Sequence, residues 1–185
     1  MAPTETRRLY YRAALKLLAL GLVLFVLQAM VSGFFSHPET DTALPLAISL
    51  DGFEPGEMRL VQWAGQELVV LRRSPVMDAA DAAHEERLYD PSSRLSVQPR
   101  EARNPGRTLA PGYFIAYARG TDLSCPLDLV TPESAAAAGW GGGFTDRCRG
   151  SRYDFAGRVY EGQPARRNLE VPAYRADGAR IVLGE

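Results

Sequence analysis

Apolar residues fall in one unbroken run near the N-terminus and afterwards in short segments of strand length. From Leu17 to Phe35, nineteen residues contain only two polar members, Gln28 and Ser32. At about 1.5 Å rise per residue, such a run just crosses a hydrocarbon core of roughly 30 Å. It predicts one transmembrane helix over residues 13–35, with residues 1–12 before it. Residues 36–45, polar and punctuated by Pro38 and Pro45, read as a tether to a head formed by residues 46–185.

The head reads as mainly β. Leu46 to Leu50 is a candidate strand, and Phe53-Glu54-Pro55-Gly56 supplies turn chemistry. Met58 to Trp63 and Glu67 to Arg72 are apolar-rich runs around Ala64-Gly65-Gln66, the pattern of a hairpin. Ser74 followed by Pro75 opens a helix running to about Leu88. A proline-, arginine- and serine-rich loop fills Asp90 to Pro111, and Tyr113 to Ala118 is a further strand. From Gly120 to Tyr153 periodicity is weak, so this stretch is expected to be loops; short strands near Gly157–Tyr160, Leu169–Val171 and Arg180–Leu183 close the domain.

Charge orients the anchor. Arg7, Arg8, Arg12 and Lys16 precede or open the span, whereas Glu39 and Asp41 follow it. The positive-inside rule puts the N-terminus in the cytoplasm and the head on the other side. Thr6-Arg7-Arg8-Leu9-Tyr10-Tyr11 resembles a loose twin-arginine export signal. With no clean small-x-small site after it, the segment is expected to stay as an anchor rather than be cleaved as a signal peptide. A net charge of -1, with no basic stripe beyond the N-terminus, gives no reason to expect nucleic acid.

Candidate chemistry is sparse. Cys125 and Cys148 are the only cysteines and sit where disulfides persist, although their number alone does not pair them. They form no C-x-x-C, so thiol–disulfide chemistry is not indicated. His37 belongs to the tether, and His84 to the helix, where a solvated side chain is expected.

Gly150-Ser151-Arg152-Tyr153-Asp154, Gly157-Arg158-Val159, Gly162-Gln163-Pro164-Ala165 and Asn168-Leu169-Glu170-Val171-Pro172 fall in one order. With Glu54-Pro55-Gly56, Trp63, Arg72-Arg73, Asp90-Pro91-Ser92-Ser93 and Gln98-Pro99, they resemble the Rieske iron–sulfur subunit of the proteobacterial cytochrome bc complex, ubiquinol–cytochrome c reductase. The resemblance covers the anchor and nearly the whole head. It implies a Rieske-type antiparallel β-sandwich with a short helix, a bacterial inner membrane, a periplasmic head and respiratory subunits as partners.

The family holds a 2Fe–2S cluster in two loops, C-T-H-L-G-C and C-P-C-H-G-S, through two cysteines and two histidines. The matching residues are Gly120-Thr121-Asp122-Leu123-Ser124-Cys125 and Asp146-Arg147-Cys148-Arg149-Gly150-Ser151, within degenerate loops spanning 119–155. The resemblance therefore puts Gly120, Asp122, Asp146 and Arg149 at the ligand positions and both cysteines at the positions of the family disulfide. Ser151 and Tyr153 match residues whose hydroxyls serve the cluster, and are expected to persist as fold residues. Arg149 is expected to pair with Asp122 or Asp146; a hard-cation site on the two aspartates is the alternative. No catalytic residue, no metal and no cofactor are expected. The resulting expectation is a non-redox accessory or structural subunit of a bc-type complex, not an enzyme by itself. The alternative is an electron-transfer subunit carrying electrons from quinol to cytochrome c.

Overall fold

The computed structural model describes residues 3–35 and 44–184, which fall in two compact units. His37, Glu39 and Asp41, with most of the expected tether, lie outside the described residues.

The first unit is a single helix, α1, Pro3–Phe35, which starts well before the expected Ala13. Its stretch Arg7–Gln28 is long and apolar enough to cross a membrane. Leu17, Leu18, Val23 and Phe25 are exposed along it, as lipid-facing residues are. Arg7 lies 5.8 Å from the Tyr11 ring centre, one turn away.

The second unit is built from three antiparallel sheets of three strands each. In the first, β2 (Met58–Trp63), β3 (Gln66–Arg72) and β4 (Tyr113–Tyr117) run in that order. Leu68 to Leu71 of the central strand β3 are all buried, whereas edge strand β2 exposes Arg59, Leu60 and Gln62. A β3 covered on both faces needs an unbroken apolar run, which is how its sequence reads. The two-residue β2–β3 loop, Ala64-Gly65, has positive φ at both positions, as the right-handed twist of a hairpin demands.

The second sheet joins β1 (Leu46–Ser49), β9 (Arg180–Leu183) and β8 (Tyr174–Asp177) in that order. The third joins β5 (Leu127–Val130), β6 (Gly143–Asp146) and β7 (Arg152–Tyr153). This third sheet, with the short helix α3 (Pro132–Ala136), corrects the expectation that 120–153 is all loop. Its strands are too short to show alternation, and Gly143 stands in β6 because a Cβ there would meet the Tyr153 carbonyl oxygen at 2.0 Å. Conversely, 157–160 contributes only isolated bridges, and 169–171 lies outside the strands.

Helix α2 (Pro75–Ala83) begins as expected, with Ser74 Oγ accepting the Met77 N–H, and then tightens into a 3-10 turn over Glu85–Arg87. The long loop after it is ordered by buried polar groups. The Arg107 guanidinium, wholly buried, donates to the carbonyls of Ala156, Gly157 and Leu169 and to Gln98 Oε1. Asn168 bonds Asp90 O, Ser93 Oγ and the Val159 N–H. These bonds seat the loop against the segment that carries the tip.

Candidate functional site

Two loops meet at one end of the head: 119–126, after β4, and 146–152, between β6 and β7. The first closes on itself through Gly120 N–H to Cys125 O at 2.8 Å, and leaves Leu123 60% exposed. Ser124 turns the chain with φ +55°, a conformation that costs a non-glycine residue. Cys125, buried, and Cys148, exposed, are joined in a disulfide across 23 positions of sequence.

Asp146 organises the second loop. Its Oδ1 accepts the N–H groups of Cys148 at 3.0 Å and Arg149 at 2.8 Å, and its Oδ2 accepts that of Ser151 at 2.8 Å. The carboxylate is thus enclosed by backbone donors. Burial pushes its pKa up, but the hydrogen bonds from Arg149, Ser151 and Cys148 outweigh it, and the net direction is down.

The expected ion pair forms with Asp122 and not with Asp146: Arg149 Nη1 stands 2.8 Å from Asp122 Oδ2, linking the loops. Arg147 instead clasps Asp128 on β5, with Nη2 to Oδ1 at 2.6 Å. Beneath the tip, the Tyr153 hydroxyl accepts the Thr121 N–H at 3.1 Å and lies 3.2 Å from Thr121 Oγ1. Burial raises the Tyr153 pKa. Ser151 Oγ accepts the Ala165 N–H at 3.1 Å. Both hydroxyls hold fold contacts, and Gly120 leaves room for Asp146 where a side chain would crowd it.

Among the described residues, no group of three or more His, Cys, Asp or Glu could hold a metal ion. His84 does not stand free in water as expected. It is half-buried at the end of α2, with Nδ1 2.9 Å from Ala80 O, against Gly141. It lines a groove with Ala80, Pro132, Ala136 and Trp140.

A second buried cluster was missed in the sequence. Asp81 takes Arg73 Nη2 at 2.6 Å and the Phe155 N–H at 3.0 Å, and Asp154 takes Arg158 Nε at 2.6 Å. Burial, then the neighbouring Asp154 carboxylate, raise the Asp81 pKa to about 8 despite the two arginines. Only the Asp154-Phe155-Ala156-Gly157-Arg158 spacing could have hinted at it.

No family model matches the chain. The ubiquinol–cytochrome c reductase iron–sulfur subunit of Allochromatium vinosum is 35% identical over 145 residues, covering 76% of this chain and 70% of that protein. Its counterpart in Blastochloris viridis is 32% identical over 143 residues, with the same coverage of 76% and 70%. The mitochondrial Rieske subunit of the Saccharomyces cerevisiae cytochrome b-c1 complex is 26% identical over 159 residues, 85% of this chain and 65% of that one. A solved chain of a hyperthermophilic respiratory Complex III covers 91% of this chain and 98% of its own length, at TM-score 0.46 and 19% identity.

These relatives correct one expectation. The sequence loops predict no cofactor, whereas proteins this similar are iron–sulfur subunits by name. The donors at the tip nevertheless do not fit a cluster held by two thiolates and two imidazoles. Both sulfurs are in the disulfide, and Gly120, Asp122, Asp146 and Arg149 offer neither donor.

Proposed function

Because the chain belongs to the family of Rieske iron–sulfur subunits of ubiquinol–cytochrome c reductase, we propose that it is a subunit of a cytochrome bc-type respiratory complex. In this reading, residues 1–12 are cytoplasmic, 13–35 anchor the chain in a bacterial inner membrane, and 36–45 tether a periplasmic head of residues 46–185. The basic residues Arg7, Arg8, Arg12 and Lys16 on one side of the span support that orientation.

We further propose that the head contributes structure and docking, and that quinol oxidation does not run through its tip. In the degenerate loops within 119–155, Gly120, Asp122, Asp146 and Arg149 stand at the family's ligand positions. The observation that carries this reading is the enclosed Asp146 carboxylate, bonded by three backbone N–H groups of its own loop. A histidine at the tip could accept a proton from quinol; a guanidinium is a permanent cation and offers no base. The Arg149–Asp122 pair and the disulfide hold the two loops together.

The second reading is an electron-transfer subunit, favoured by what the relatives are called. Both readings share the complex, so the first test is assembly. Native membranes are solubilised in mild detergent and resolved under native conditions. The chain is expected to migrate with cytochrome b and cytochrome c1 polypeptides; a chain that migrates alone would overturn the assignment.

A further inference from the structure

We propose that the flank of the tip carrying Arg152, Arg166 and Arg167 is a docking surface for an acidic protein segment, one carboxylate of which enters the groove that Arg87 and Arg152 line beside the packed Trp140–Tyr160 pair. This rests on the reading of the head as a docked subunit, and names the chemistry of what it docks to.

Cations outnumber carboxylates on this flank: Arg87, Arg152, Arg166 and Arg167 stand against Glu86 and Glu161. Three arginines of the tip meet carboxylates: Arg119 with Glu170, Arg147 with Asp128 and Arg149 with Asp122. Arg152, Arg166 and Arg167 form no ion pair among the described residues. Their backbone segments lie side by side, although Arg167 lines a neighbouring cavity with Arg119 and Glu170. The Arg152 N–H donates to Gln163 Oε1, Ala165 N–H donates to Ser151 Oγ, and Arg167 O accepts the Thr121 hydroxyl. The segment 163–167 therefore runs alongside 151–152 and reaches the first tip loop.

Two of these cations are seated on aromatic rings. The Arg152 guanidinium lies 5.2 Å from the Trp140 ring centre, and that of Arg166 lies 5.5 Å from that of Tyr89. Stacking holds a long side chain in place before a partner arrives, which lowers the ordering cost of binding. Arginine, tryptophan and tyrosine are also the residues that dominate protein interfaces.

A groove of about 160 Å³ opens beside Arg152, lined by Arg87, Trp140 and Tyr160. Tyr160 is only 4% exposed, and its hydroxyl has no hydrogen-bond partner among the described residues. A buried donor left unmet carries a real cost, which an entering acceptor would remove. Glu86 and Glu161 also line the groove, both exposed. They oppose any anion, a doubly charged phosphate more than a single carboxylate, so the carboxylate is held by the guanidinium groups of Arg87 and Arg152, which it meets in planar geometry.

The test uses the full-length chain in detergent, carrying Trp63→Phe so that Trp140 alone reports fluorescence, and a peptide of glutamates as the probe. Addition of peptide is expected to change Trp140 emission saturably at low salt, with affinity falling about tenfold on raising the salt. The exposed double variant Arg166→Gln/Arg167→Gln is expected to bind about tenfold more weakly, whereas Arg180→Gln, on β9, binds unchanged. No emission change, equal binding by the double variant, or binding only to vesicles of phosphatidylglycerol and phosphatidylcholine would each overturn the proposal. A chain that co-migrates with the complex but ignores the peptide sinks only this surface. One that binds the peptide but migrates alone sinks only the complex.

Discussion

Gly120 and Asp146 face each other across the tip so closely that a Cβ built on Gly120 would lie 3.0 Å from the Asp146 Cβ. The small residue in one loop and the carboxylate in the other are a matched pair. Gly120→Ala should therefore destabilise the head by about 1–3 kcal/mol, the usual cost of overpacking. Thermal melts of the two proteins would check it, and an unchanged melting temperature would show that the loops yield freely.

Asp146→Asn keeps the shape and removes the charge. The amide can accept two of the three N–H groups, but its own NH2 then opposes the third. The expected cost is about 1–3 kcal/mol. Because the native Asp146 pKa is depressed, its contribution is present above the ordinary carboxylate value, about 4, and is lost as pH falls through the lower native value. The acid limb of a melting-temperature profile should be steeper in the parent than in the variant.

The Asp81 site has the opposite sign. Its native pKa, about 8, lies above the unfolded value of about 4, so between them the folded head holds a proton that the unfolded chain releases. Stability from this group is full below pH ~4, declines as pH rises, and levels off above pH ~8. Subtracting the profile of Asp81→Asn from that of the parent should leave this slope; a flat difference would refute it.

Ala64 sits at φ +51° in the exposed β2–β3 turn, a left-handed conformation that asparagine tolerates better. Ala64→Asn should raise stability by about 0.5–1 kcal/mol. Denaturant midpoints at unchanged slope would measure it.

Reducing the Cys125–Cys148 bond, or replacing both cysteines by serine, should cost about 3 kcal/mol, as expected for a closed loop of this length. By contrast Asp122→Asn, which breaks an ion pair whose arginine is 52% exposed, should cost less than about 1 kcal/mol. Melts with and without reductant would separate the two.

The parts of the fold written in local patterns were legible in the sequence. The β2–β3 hairpin follows from two apolar runs about a tight turn, and the start of α2 from Ser74-Pro75. The β5–β6–β7 sheet was not, because its strands are short and its glycine answers a backbone contact distant in sequence. The β8–β9 hairpin is half legible: β9 is an apolar run, whereas β8 is marked only by the Gly178-Ala179 turn that follows it. At the tip, the pairing of Arg149 followed from charge at facing positions, but the choice of Asp122 over Asp146 did not. That choice depends on the backbone N–H groups that already engage Asp146, and these exist only once the loop has closed.

The most direct test of a structural role is quinol-to-cytochrome c turnover per assembled complex, in native membranes with and without this chain. Without the chain, less assembled complex is expected, but turnover per complex within about twofold of the parent. An intact complex whose turnover collapses when the chain is removed would contradict that role, and would return electron transfer to this head.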